Sequence, residues 1–384
     1  MRLILILRNV FRHKLRTLLT VVGLTVAVLA FGLLSTVVEA WYAGAEGASS
    51  ARLVVRNSIS LVFPLPLTYR QKIRQIDGVR AISTANWFGG IYKEPKNFFP
   101  QFAVDAASYL DLYPEYVLSE AERKAFLLDR KGAVVGSKLA ATYGFRIGDT
   151  VTLKGTIFPG QWEFVIRGIY SGRDAKTDVS QMLFHWDYLN ETLKARSPRR
   201  ANTVGVYVVE VSDPARVAEI SRAIDAEFRN SYAETLTETE KAFQLGFVSM
   251  TEAIVVAIRL VSYLVIFIIL AVMANTMAMT VRERTAEYAT LKALGFGPAF
   301  IMGLIYGEAL AIAALGGALG IALTFPLAER FASAMGSLFP VFVVSAQTLW
   351  LQAACALAVG LVSALFPARS AARVRIVEGL RSVA

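Results

Sequence analysis

Four long apolar runs constrain this chain more than any other feature. They lie near 17–38, 254–279, 299–328 and 348–366. Each is about the 20 residues a helix needs to cross a bilayer. Lipid offers no partner to backbone N–H and C=O groups, so a crossing segment must pair them internally, as a helix. The chain should therefore be an α-helical membrane protein: four transmembrane helices with a large mixed α/β extracytoplasmic domain between helices 1 and 2. Only 18% of the residues are charged, against about a quarter in soluble domains.

Charge sets the expected orientation. The chain carries a net +10, yet 40–250 holds 26 Lys/Arg against 23 Asp/Glu, so much of the surplus sits in the tails. Basic flanks mark the cytoplasmic side, and a nucleic-acid binder would instead concentrate its cations on a folded domain. The expected layout has a cytoplasmic amphipathic segment at 1–16 and transmembrane helices at 17–39, 251–280, 299–328 and 348–367. The extracytoplasmic domain with its stalk occupies 40–250. A cytoplasmic loop lies at 281–298, an external loop at 329–347 and a cytoplasmic tail at 368–384. In the first segment Leu3, Leu7, Val10, Phe11 and Leu15 alternate with basic residues; a helix lying on the membrane surface and a plain positive flank both fit. The first apolar run exceeds the core of a signal peptide, so its retention is expected despite Ala43-Gly44-Ala45.

Within 40–250, β-branched or alternating runs predict strands near 52–56, 99–105, 132–136, 149–154, 163–170 and 203–211. Helices are expected near 68–77, 137–144 and 214–229, the last opened by Ser212-Asp213-Pro214. The polar, helix-permissive stretch 231–251 is expected to form a stalk continuous with the second span. With a lone cysteine, Cys355, and two scattered histidines, His13 and His185, the chain lacks the usual zinc set. It also has no GxxxxGK[ST] phosphate loop. His185 reads as a packed or surface residue. The aromatics Trp87, Phe88, Phe98, Phe99 and Phe102 read as core or interface, with a lipid or lipoprotein contact as the alternative.

The most informative stretch is 275–298, NTMAMTVRERTAEYATLKALGFGP. It resembles the cytoplasmic loop of the FtsX/MacB-like permeases, the type VII ABC transporters. The matching residues are Val281, Arg282, Glu283, Arg284, Glu287, Leu291, Lys292, Ala293, Leu294 and Gly295. The resemblance extends to Glu308-Ala309-Leu310, to the glycine-rich 316–320, to Phe366-Pro367-Ala368-Arg369-Ser370-Ala371-Ala372, to Glu378-Gly379-Leu380-Arg381, and to Arg8-Asn9-Val10-Phe11-Arg12 and Arg16-Thr17-Leu18-Leu19-Thr20. Tyr288 departs from the Ile or Leu frequent in the family, and the face stays apolar. The resemblance implies a permease subunit without cofactor or catalytic site of its own. It would work with two copies of a separate ABC ATPase that carries ATP and Mg, and with a second permease copy as homodimer or heterodimer. A periplasmic adaptor and membrane lipid are further candidate partners. The implied place is the bacterial inner membrane, with both termini cytoplasmic. The implied task is to pass ATP-driven motion to the periplasmic domain, for export or extraction of a lipid, lipoprotein or drug/peptide substrate. The alternative is a signalling scaffold that activates a periplasmic cell-wall hydrolase.

The loop's own chemistry points the same way. Tyr288, Leu291 and Leu294 or Gly295 fall at helical spacing on one face, while Arg282, Glu283, Arg284, Glu287 and Lys292 supply both signs of charge. Such a helix suits a groove in another protein, the ATPase-coupling role. Gly303, Gly307, Gly316 and Gly320 are spaced for close helix packing. Glu308 is an intramembrane acid, for which a salt bridge to a neighbouring helix is the simpler reading and a functional site the other.

Overall fold

The computed structural model describes residues 8–10, 12–174, 176–335, 339 and 341–376. The expectations for Leu3, Leu7 and Phe11 and the match at 378–381 lie outside the described residues. The chain divides into two compact units. One comprises Met1–Glu39, Glu252–Ala334 and Phe342–Ala384; the other comprises Ala40–Thr251 and Met335–Val341.

The first unit is helical. Four helices are long and apolar enough to cross a membrane: Lys14–Gly47, Glu252–Glu283, Pro298–Met335 and Ala346–Arg373. A shorter helix, Thr285–Ala293, joins the second to the third. Helices without water between them associate through close backbone approach and polar contacts, and both occur here. A Cβ on Gly316 would lie 3.0 Å from Leu24 Cβ, and one on Gly320 2.8 Å from Val28 Cβ, so these glycines seat the first helix on the third. Gly317 and Gly360 do the same between the third and fourth helices, against Ala356 and Ala313. Gln352, fully buried, donates its amide to the Val28 carbonyl at 2.9 Å and to Thr324 Oγ1 at 2.8 Å, tying three helices together. Gly303 is different. Among the described residues nothing lies within 4 Å of where its Cβ would be, so its expected packing role finds no contact there. Gly307 is half-buried.

The second unit is mixed α/β. Its strands are β1 (Arg52–Asn57), β2 (Leu65–Pro66), β3 (Val79–Trp87), β4 (Gly90–Tyr92), β5 (Gln101–Val104), β6 (Tyr116–Val117), β7 (Gly132–Gly136), β8 (Thr150–Gly155), β9 (Gly160–Gly172), β10 (Met182–His185), β11 (Thr203–Val204), β12 (Val206–Val211) and β13 (Thr235–Thr239). The large sheet runs in the order β13-β1-β12-β3-β5-β10-β7-β9-β8-β4, with β6 on β9, while β2 and β11 form a separate pair. Successive side chains of a strand face opposite ways. In β7 and β10 both faces are buried, and Val135 and Phe184 join one apolar cluster while Val134 and Leu183 join another. Helices thus cover both faces of the central strands, which explains the continuously apolar 132–136 run.

One expectation is corrected. The presumed stalk at 231–251 contains β13, paired antiparallel to β1 with Leu53 opposite Thr239, followed by a helix, Glu240–Met250. That helix ends at Thr251 (φ −112°, ψ 11°) before the second long helix begins, so no continuous helical rod forms. Alternating Thr235, Thr237 and Thr239 supply the β-branched residues that favour the pleat. The helix Glu120–Leu128 was unexpected, although its signal is written in the sequence: Ser119 and Glu122 form a reciprocal capping box. His185 is buried, with its Nε2 2.6 Å from the Phe126 carbonyl and its ring against Phe126, so it is a packed residue.

Candidate functional site

The second helix ends at Glu283, and Arg284 leaves helical geometry (φ −105°, ψ 16°) before the chain turns into Thr285–Ala293. The short helix closes on Gly295, whose φ of +91° is the left-handed conformation that glycine adopts without penalty. Phe296 N–H donates to the Leu291 carbonyl and Gly295 N–H to the Lys292 carbonyl, each at 3.0 Å. This pair of bonds satisfies the orphan carbonyls of the last turn. At the same end, Lys292 Nζ donates to the Ala372 and Val374 carbonyls at 2.7 Å each, fastening the loop to the end of the fourth helix.

The charged residues of the loop are not spread over a solvated face. Arg284 is buried. Its Nη1 donates to Glu308 at 3.1 Å, its Nε donates to Glu287 at 3.0 Å, and its guanidinium lies 5.5 Å from the Tyr288 ring centre. The Arg284 and Glu308 side chains are each 9% exposed, so the intramembrane acid is neutralised by a cation from the loop. Glu287 also accepts from Arg12. Arg16 donates both terminal N–H groups to Glu283, at 2.7 Å each. Burial alone would raise the Glu287 pKa, but Arg284 and Arg12 together hold it below the ordinary value.

These contacts redistribute the expected coupling residues. Tyr288 is buried with Val10, Val281 and Ile301, and Leu291 packs against the same cluster. Both face this chain's own core and leave little for a partner. Glu283 is taken up by Arg16, so the surface left to a partner comprises Arg282, Thr290, Ala293 and, at the tip, Leu294 (71% exposed), Gly295 and Phe296 (40% exposed), the last stacked on Phe300 at 4.6 Å. Arg12, Arg16 and Phe296 belong to the site and were not expected there. Arg12 and Arg16 sit more than 260 residues from their partners; the family resemblance covers both, but no local pattern pairs them with the loop.

Comparison with known proteins shows which family the chain resembles. Residues 259–376 match the model of the FtsX-like permease C-terminal domain, and residues 17–227 match that of the MacB-like periplasmic core domain. An ABC transporter permease of Methanocaldococcus jannaschii is 24% identical over 398 aligned positions, covering 97% of this chain and 96% of that protein. The macrolide export ATP-binding/permease protein MacB of Sodalis glossinidius is 35% identical over 127 positions, which span 33% of this chain and 19% of that protein. The crystallised periplasmic region of MacB from Actinobacillus actinomycetemcomitans superposes with a TM-score of 0.36 at 8% identity, over 53% of this chain and 94% of that one. Because the periplasmic-core match alone takes in more than half of the sequence and the permease match covers most of the remainder, this chain belongs to the FtsX/MacB-like family of ABC transporter permeases.

Proposed function

We propose that the chain is the membrane half of a machine in which a separate ATPase, present in two copies, drives motion of the 40–251 unit on the outer side of a cytoplasmic membrane. ATP and Mg would reside on that partner, and a second permease copy would complete the assembly. The observation that carries this reading is the tip Leu294-Gly295-Phe296. It is apolar and exposed, and it is held rigidly by the turn bonds and by Lys292. A short ordered helix end of this kind fits a groove on a partner protein, whereas a helix resting on lipid would carry a mainly cationic polar face. For the outer placement, Phe339, from between the third and fourth helices, belongs to the same compact unit as 40–251. Phe339 lies edge-on to Trp41 at 5.3 Å, and Lys138 donates to its carbonyl at 2.6 Å. The task favoured is mechanical export or extraction of a lipid, lipoprotein, drug or peptide.

Co-purification tests the reading. Leu294→Asp places a carboxylate on the exposed tip without touching this chain's core. ATPase binding should fall about thirtyfold, as for loss of an interface anchor worth about 2 kcal/mol, while membrane insertion is unchanged. Full ATPase retention by Leu294→Asp removes the tip from the interface and the reading with it. Leu291→Asp is a poorer probe because Leu291 contributes to internal packing. Orientation is checked by a membrane-impermeant thiol reagent at Tyr232→Cys, a position 98% exposed. Labelling should proceed without breaching the cytoplasmic membrane; labelling only after lysis reverses the topology.

A further inference from the structure

We propose that Arg12 and Arg16 are positioning residues of the coupling apparatus: they clamp the start of the first helix and the turn before it onto the loop, so that the loop cannot move without carrying the first helix along. The inference rests on reading the loop as the ATPase contact.

The geometry is a chain of alternating charges. Glu308 on the third helix meets Arg284, Arg284 meets Glu287, and Glu287 meets Arg12. Alongside it, Arg16 grips Glu283 with two parallel bonds. Arg16 lies in the first turn of the first helix and Arg12 in the turn before it, while Glu283 ends the second helix and Glu287 lies in the short helix beyond the break at Arg284. Two bridges to both sides of that break resist rotation as well as separation. Three cations face three carboxylates, so the set is neutral, with His13 beside it.

A single exposed ion pair contributes little, because ordering two long side chains offsets its attraction. Here Glu287 is ordered once and serves two arginines, and the inner end of the chain is buried. The segment is also anchored by Val10, which is 1% exposed and packs in the same cluster as Tyr288 and Ile301. Beside the bridges lies a small pocket lined by Asn9, His13, Thr280 and Glu308 and by the apolar Met277 and Ile312. Among the described residues, the segment meets the bundle through these charges and through Val10, a contact that carries a displacement from the loop to the first helix.

The test uses the full permease with its ATPase in nanodiscs, Cys355 replaced by Ser, and an environment-sensitive fluorophore at Leu15→Cys, an exposed position at the start of the first helix. Adding ATP should change the fluorescence of the parent protein. Arg16→Glu and Glu283→Arg, each placing like charges together, should reduce that change at least about fivefold with the ATPase still bound. The double variant Arg16→Glu/Glu283→Arg should restore it. A full response in either single variant overturns the clamp, as does a double variant no better than the singles, or an ATP-silent parent that binds its ATPase. If a single variant does not assemble, recovery of assembly and response in the double variant still supports the pairing, and lack of recovery counts against it. Failure of the coupling reading itself looks different: the parent permease would not bind the ATPase at all.

Discussion

Arg52 in the α/β unit and Arg284 in the membrane unit are built from the same parts. Each is a buried arginine between two carboxylates with its guanidinium over a tyrosine ring: Glu240, Glu115 and Tyr113 for Arg52, and Glu308, Glu287 and Tyr288 for Arg284. They differ in how they end. Arg52 also donates to the Leu112 carbonyl at 2.7 Å, and Tyr113 donates its hydroxyl to Glu240 at 3.0 Å. Ser49 N–H donates to Glu240 as well, at 3.1 Å. That centre is closed and joins the first strand, the last strand's exit and the segment before β6. The Arg284 centre is open: its outer carboxylate passes on to an exposed arginine. A closed centre specifies one arrangement, whereas an open one leaves a member free to change partners. Although burial would weaken Arg52's hold on its proton, Glu115 and Glu240 raise its pKa above the ordinary value, so Arg52 stays charged.

The comparison can be broken by substitution. The largest effect should come from Arg52→Ala, which strands two carboxylates; losing one member of a buried pair costs about 3–5 kcal/mol. Thermal unfolding of the reconstituted chain, followed by proteolysis of the α/β unit, measures it, and a loss under about 1 kcal/mol would show the centre to be dispensable. Arg284→Ala should cost less, about 2 kcal/mol, because Glu287 is exposed enough to find Arg12 and water. Equal losses at the two arginines would erase the distinction between closed and open. The smallest and sharpest contrast is between the tyrosines. Tyr113→Phe removes a buried hydrogen bond to a carboxylate and should cost about 1.5 kcal/mol. Tyr288 makes no hydroxyl bond among the described residues, so Tyr288→Phe should stay within about 0.5 kcal/mol.

Much of this architecture is legible in the residues themselves. A run of about 20 apolar residues has few ways to be satisfied, so the four long helices follow from hydropathy alone. The loop and its end at Gly295 were equally readable, because capping is local. What stayed hidden is long-range. Arg52 and Glu240 are 188 residues apart, and no local pattern pairs them. Tyr288 and Leu291 were correctly placed on one helical face, yet periodicity cannot say whether that face meets a partner or the chain's own bundle. β3 escaped notice because its AISTAN core mixes small and polar residues; it is held by β12 and β5 on either side. The capping box at Ser119 was a missed signal, not an absent one.

The pairing of β1 with β13 has a consequence of another kind. The α/β unit enters at β1 and leaves after β13, and these two strands are hydrogen-bonded neighbours from Leu53–Thr239 to Asn57–Thr235. A unit whose two ends meet is a cassette: it makes the same modest demand on the chain that hosts it whatever lies between them. The host helices can then keep one sequence while the insert is lengthened, trimmed or exchanged. Such a layout lets one set of membrane helices acquire a different α/β unit by exchange of the main block of that unit's sequence.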